Sequence, residues 1–181
     1  TPSATAKSGT LPFPSYSQDD QHDIAAAGNL ACIAGYTADG FRVHIFDVTN
    51  AASPVFKAAI TPRGRDIRLW LDGATLLVSS NLFLSDVPDN VIEAFDLNDP
   101  ANPKPSGQIR AQTAAYDVKV LSQDGQDPLI ALAKPGGSVH TVGYSPASGT
   151  FYPGPVCPSP YSAQVTVSQS PNSAGGYTVV T

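Results

Sequence analysis

Methionine is absent from this sequence of 181 residues, cysteine occurs twice, tryptophan once, and only 14% of residues are charged. Each scarcity excludes something. Cys32 and Cys157 form no CxxC pair, and His22, His44 and His140 form no HxxH or HExxH, so zinc and copper sites of the usual kind lack ligands and no metal or cofactor is expected. The 10 Lys and Arg are scattered among 15 Asp and Glu, for a net charge of -5. No basic stripe exists to neutralise phosphates, which removes nucleic acid and anionic membranes as partners. No apolar run approaches the roughly 18 residues that span a bilayer, so membrane insertion is not expected. Thr1 to Gly9 lack the apolar stretch of a signal peptide. A start at Thr1 in a sequence without Met points to a processed or trimmed product, compatible with export. Gly143-Tyr144-Ser145-Pro146-Ala147 is no GxSxG elbow, and neither Asp19-Asp20-Gln21-His22-Asp23 nor Asp86-Val87-Pro88-Asp89-Asn90 has EF-hand spacing.

What is abundant is turn chemistry. With 17 Pro, 15 Gly and 41% hydrophobic residues, the chain has enough apolar content for a core and too many breakers for a helical protein. Val118, Val120, Val165 and Val167 alternate with polar residues at the period of two that puts one strand face on a core. The best helix candidate, Ile24 to Ala34, is broken by Gly28-Asn29 and reads equally well as a tightly packed inner strand.

A repeat of about 47 residues organises these strands. His22-Asp23-Ile24 leads through Gly28-Asn29 and Leu30 to Ala34 into Phe46-Asp47-Val48-Thr49-Asn50 and closes at Ser53-Pro54. Arg65-Asp66-Ile67 leads through Asp72-Gly73 into Phe95-Asp96-Leu97-Asn98 and closes at Asn102-Pro103, with Phe46 and Phe95 standing 49 positions apart. Tyr116-Asp117-Val118 opens a weaker third copy, in which Pro146 and Gly149 replace the closing prolines, and a fourth stops after two strand signals, Ala163 to Val167 and Gly175 to Val180. Asp47 and Asp96, each following an apolar strand, are placed to accept backbone N–H bonds at a turn. Four strands per unit is the pattern of a β-propeller blade, so the expected fold is all-β, with 3.5 to 4 blades over residues 21–62, 63–112, 113–160 and an incomplete 161–181, preceded by a leader at 1–20.

Phe46-Asp47-Val48-Thr49-Asn50-Ala51-Ala52-Ser53-Pro54 and its echo from Phe95 to Pro103 resemble the LVIVD repeat of secreted and surface-exposed propellers. That resemblance covers about residues 22 to 145. It implies the fold, an extracytoplasmic location at the cell surface or outside the cell, and a surface-binding role, and it carries no catalytic motif.

A propeller usually has four to eight blades, and 181 residues supply fewer than four. Leu11 to Ser17 could return to close a small ring. Otherwise a second copy, or a second polypeptide, completes a larger one, for example of seven blades. A Cys32–Cys157 disulfide would favour the small ring, since the roughly 7 Å Cα limit is within reach only if the first and last blades are neighbours.

Two sets of residues are candidates for ligand contact. His22, Arg65 and Tyr116, with Asp23, Asp66 and Asp117 beside them, open the inner strands and would converge at the mouth of a central channel. The three aspartates have a structural alternative, bonding the backbone of the adjacent blade. Tyr36, Phe41, Asp86 and Asp89, in loops and in the insertion from Asn81 to Asn90, form the second set. The expected function is non-catalytic binding of a protein or glycan. Its competitors are half of a propeller enzyme acting on a small molecule at the channel, and a structural assembly subunit.

Overall fold

The computed structural model describes residues 23–82, 89–111, 117–121, 126–133 and 139–154, which form three four-stranded antiparallel sheets and no helix. Blade 1 comprises β1 (Asp23–Ala27), β2 (Leu30–Thr37), β3 (Gly40–Asp47) and β4 (Val55–Ile60). Blade 2 comprises β5 (Arg65–Asp72), β6 (Thr75–Leu82), β7 (Asp89–Asp96) and β8 (Lys104–Arg110). Blade 3 comprises β9 (Asp117–Leu121), β10 (Leu129–Ala133), β11 (Val139–Ser145) and β12 (Thr150–Pro153). Each sheet keeps its strands in chain order, a meander of hairpins, as propeller blades require. The strands expected at 161–181, the leader, and Cys157 lie outside the described residues.

The ambiguous stretch from Ile24 to Ala34 resolves into a hairpin. Gly28 takes φ 58°, a left-handed value an L side chain resists, and so turns β1 onto β2. Alternation then sorts side chains between neighbouring blades. From blade 1, Leu30, Cys32, Ala34, Val43 and Ile45 meet Ile67, Leu71, Leu76, Val78 and Phe95 of blade 2. From blade 2, Leu77, Ile92 and Ala94 meet Ile130, Leu132, Val142 and Tyr144 of blade 3, with Trp70 packed at the margin. Blade 2 is therefore apolar on both faces, because it is covered on both. Each fully buried Leu, Ile or Val contributes about 1.5–3 kcal/mol. Cys32 is a free, fully buried thiol whose pKa burial pushes up to about 12, which makes it a packing residue.

The recurring Phe-Asp motif is a turn device at the end of each blade where β3 or β7 leaves the sheet. Thr49 N–H and Oγ donate to Asp47 Oδ1 at 3.0 and 2.6 Å, and Asn98 N–H donates to Asp96 Oδ1 at 2.8 Å. A second turn follows, in which Ala52 N–H bonds Asn50 Oδ1 and Ala101 N–H bonds Asp99 Oδ1. The sheet side is anchored identically, by Val48 N–H to the Asn29 carbonyl and Leu97 N–H to the Ala74 carbonyl. Blade 3 lacks the motif and substitutes a tight hairpin, with Gly149 at φ 67° and its N–H on the Ser145 carbonyl.

These bonds have a pH signature. Hydrogen bonds from the Thr49 side chain and backbone, reinforced by Lys57 at 3.2 Å, hold the Asp47 carboxyl at about 2, down from its usual 3.8. A folded pKa below the unfolded one means that ionisation stabilises the turn. That contribution is whole above pH 3.8 and disappears as the pH falls through about 2. We expect protection of the Thr49 amide, followed by hydrogen exchange, to be constant from pH 6 to about 4 and to collapse near pH 2. Asp47→Asn should lack the step, and a step in that variant would refute the assignment.

Candidate functional site

The end of the blades opposite the Phe-Asp turns carries the polar chemistry. Register puts Asp23 opposite Ala34, Tyr36 opposite Phe41, Arg65 opposite Asn81, Leu82 opposite Asp89 and Val91 opposite Arg110, all where the first strands of blades 1 and 2 begin.

Asp23 is committed to the scaffold. Its Oδ2 accepts the Leu69 N–H at 2.7 Å and its Oδ1 accepts the Ile24 N–H at 3.0 Å, so the carboxylate of blade 1 ties down the first strand of blade 2. The three aspartates do not share one register position. Counting from the ends of the third strands at Asp47, Asp96 and Ser145, Asp23 opposite Ala34 corresponds to Arg68 opposite Ser79 and to Lys119 opposite Ala131, whereas Asp66 and Asp117 come two residues earlier. Asp23→Ala should destabilise the protein by about 1–2 kcal/mol through the loss of this charge-assisted tie. A shift under 0.3 kcal/mol in urea unfolding would mean that water replaces the carboxylate without loss.

Asp66 sits in a bulge, where Arg65 faces Asn81 and Arg68 faces Ser79, so β5 carries one residue more than β6. Its φ of 52° is left-handed, a conformation that Asp tolerates better than most residues because its short carboxyl can bond locally. Asn81 Nδ2 approaches Asp66 Oδ2 at 3.4 Å. Behind this contact lies a buried chain of polar groups. Asn90 Nδ2 donates to Asn81 Oδ1 at 3.1 Å and lies 3.0 Å from Ser79 Oγ, with all three residues at or below 9% exposure. Asn81 and Asn90 were expected in a loop insertion. Instead they pair across β6 and β7, because the hairpin ladder extends to Leu82 and Asp89.

Glu93, the only glutamate of the sequence, is 8% exposed on β7 and receives both the Arg63 backbone N–H and its Nε at 3.2 Å. It thereby straps the connection between blades 1 and 2 onto blade 2. Gly64 is required there, since a Cβ would stand 2.2 Å from the Asn81 carbonyl oxygen. Asp89 pairs with Arg110 at 3.2 Å. The signal for Ser79, Asn81, Asn90 and Glu93 was present in the sequence as polar residues within apolar strands, but alternation alone does not say that they bond one another across β6 and β7 or meet the Arg63 connector.

Of the proposed contact residues, Arg65 is exposed at the start of β5. Tyr36 is 40% exposed, and its ring meets Phe41 edge-on at 4.9 Å. The hairpin beneath this pair is stiffened by Thr37 Oγ, which donates to the Gly40 carbonyl at 3.0 Å and accepts the Asp39 N–H at 3.2 Å. Arg42 Nη1 folds back onto the Phe41 carbonyl at 2.9 Å. Asp117 opens β9, and His22, Tyr116 and Asp86 lie outside the described residues. His44 is buried on β3, where burial and the nearby Arg42 charge lower its pKa and favour the neutral ring. Among the described residues, no three His, Cys, Asp or Glu side chains gather as a metal site would need.

No family model and no curated protein sequence matches this chain. Its fold is similar to that of Sqt1 from Saccharomyces cerevisiae, a WD40 propeller, with a TM-score of 0.54 and 16% identity over 78% of this chain and 35% of Sqt1. At that identity the likeness concerns fold alone, and the chain spans about a third of Sqt1's length. The chain has a β-propeller-like fold, seen here as three consecutive blades.

Proposed function

We propose that the chain is part of a non-catalytic, extracytoplasmic propeller of the LVIVD-like kind, completed by a second copy or a second polypeptide, which binds a protein or glycan at the end bearing Tyr36, Phe41 and Arg65. One observation carries the reading. The carboxylates and amides at this end are tied to backbone and to one another, while the Tyr36 ring stands exposed on a stiffened hairpin. A rigid aromatic with a polar tip loses little entropy on contact and suits stacking on a sugar face or insertion between side chains. Location rests on the motif resemblance.

The test is a screen of the full chain against glycan and secreted-protein arrays, repeated with Tyr36→Ala and Arg65→Ala. Tyr36→Ala should weaken any captured ligand at least tenfold with unchanged melting, equivalent to about 1.4 kcal/mol or more. Binding that survives both substitutions would place the site elsewhere.

A further inference from the structure

The basic residues are dispersed along the sequence, but the fold sorts them by type. Arg42, Arg63, Arg65 and Arg110 stand at the end that carries Tyr36, with Arg68, the remaining arginine, further along β5. Lys57 and Lys104 stand beside Asp47 and Asp96 at the opposite end. The two cations are not equivalent, because a guanidinium is a planar fork that grips a carboxylate through two parallel N–H bonds, whereas an ammonium is a point charge. The ion pairs show which partner reaches solvent. Glu93 holds Arg63 and Asp89 holds Arg110, each through Nε at 3.2 Å. The arginine side chains are 58% and 55% exposed, and their carboxylate partners 11% and 21%. At the other end Lys57 and Asp47 are equally open, at 30% and 28%. Among the described acidic residues near Tyr36, only Asp39 on the hairpin tip is exposed, since Asp23 and Asp66 are engaged with the Leu69 N–H and with Asn81. This surface therefore presents guanidinium.

We propose that the ligand at this end is an acidic polysaccharide in which uronic acids alternate with neutral sugars, its carboxylates taken by the Nη edges of Arg63 and Arg110 and a neutral ring stacked on Tyr36. This rests on placing the binding site here and names the class of its ligand. The ion pairs use Nε and fix each side chain, so the Nη edges are oriented before a ligand arrives. Asp89 and Glu93 lie on one face of β7, four residues apart, which sets the two anchors about 13 Å from each other. No single carboxylate bridges that distance, so the matching ligand is extended and its charges are separated. Arg63 lies in the connector between blades 1 and 2, and Phe41 packs into the core between the same blades, which puts the Tyr36 ring on the same seam. The net charge of -5 opposes a ligand charged at every unit, such as a nucleic acid. An acidic peptide run has no flat face to lay on the exposed ring, whereas a sugar has one.

The test is titration of the full chain with an oligosaccharide that alternates glucuronate with N-acetylglucosamine, and with the same oligosaccharide after its carboxyls are reduced to alcohols. The charged form should bind at least about tenfold more tightly, and its advantage should shrink as salt is raised. Arg63→Lys and Arg110→Lys keep the charge and lose the fork, so each should weaken the charged form about threefold or more while leaving the reduced form unchanged. Lys104→Gln, at the far end, should alter neither. Equal binding of the two forms overturns the proposal, as does absence of binding to the charged one. Binding of polyglutamate or of a single-stranded oligonucleotide as tight as that of the charged oligosaccharide also overturns it, in favour of an acidic peptide or a nucleic acid. If a lysine variant fails to fold, the comparison of charged and reduced forms on the unaltered chain decides. A captured ligand that depends on Tyr36 and not on Arg63 or Arg110 leaves the binding site standing and removes the acidic class. Dependence on the arginines without Tyr36 keeps the acidic class and moves the site.

Discussion

Gly149→Ala should lower stability by about 2–4 kcal/mol, because two independent penalties meet at one residue. Gly149 adopts φ 67°, and a Cβ there would lie 2.4 Å from the Ser106 carbonyl oxygen of blade 2. The left-handed backbone alone costs an L residue about 1–2 kcal/mol. The clash cannot be relieved by a rotamer, since the obstacle is backbone. Across the seam, a Cβ on Gly107 would stand 2.5 Å from the Gly149 carbonyl oxygen, so β8 and the β11–β12 turn approach each other through two glycines. Ser106 and Tyr144 hydroxyls close the contact at 2.8 Å. Gly107→Ala should therefore cost less than Gly149→Ala, as it adds a clash without a left-handed φ. Urea unfolding would rank them. A Gly149→Ala loss below 0.5 kcal/mol, or the opposite order, would show that the seam is looser than these distances.

Asn90→Ala comes next, at about 2–3 kcal/mol. The side chain is 1% exposed and supplies the partner of Ser79 Oγ, itself 3% exposed, as well as a bond to Asn81 Oδ1. Truncation strands a buried hydroxyl that water does not reach, and stranding costs more than a hydrogen bond gains. The mechanism dictates a non-additive pair. Ser79→Ala in the Asn90→Ala background should recover about 1 kcal/mol, because it removes the orphaned group. Strict additivity in the double-mutant cycle would mean that the two side chains are not coupled. Asn81 also contacts Asp66, so Asn90→Ala is expected to loosen the bulge at the candidate site as well.

Much of the architecture was legible in the residues. The Phe-Asp turns at Asp47 and Asp96 follow from short-range chemistry, a carboxylate two residues before an N–H, which no distant part of the chain can alter. The Gly28-Asn29 break left helix and strand both open over Ile24 to Ala34, and the left-handed φ of Gly28 decides for a hairpin. The repeat then implied four-stranded units, as each copy restates the same local instructions.

The candidate site was less legible, and the reason is range. Asp23 reads as one of three equivalent carboxylates in the sequence, but strand pairing separates it from Asp66 and Asp117 by two residues. Asn81 and Asn90 are buried where β6 pairs with β7, and Glu93 where the connector through Arg63 bonds it, partners nine and thirty residues away in the chain. Tyr36 and Phe41 were visible as aromatics near a turn, while their edge-on packing belongs to the hairpin once folded. The sequence by itself determined the strand-turn-strand grammar of a propeller blade, because those signals act over a few residues. Only the tertiary structure decided which polar side chains are tied into the scaffold and which remain free to meet a ligand, because that depends on what the neighbouring blade covers.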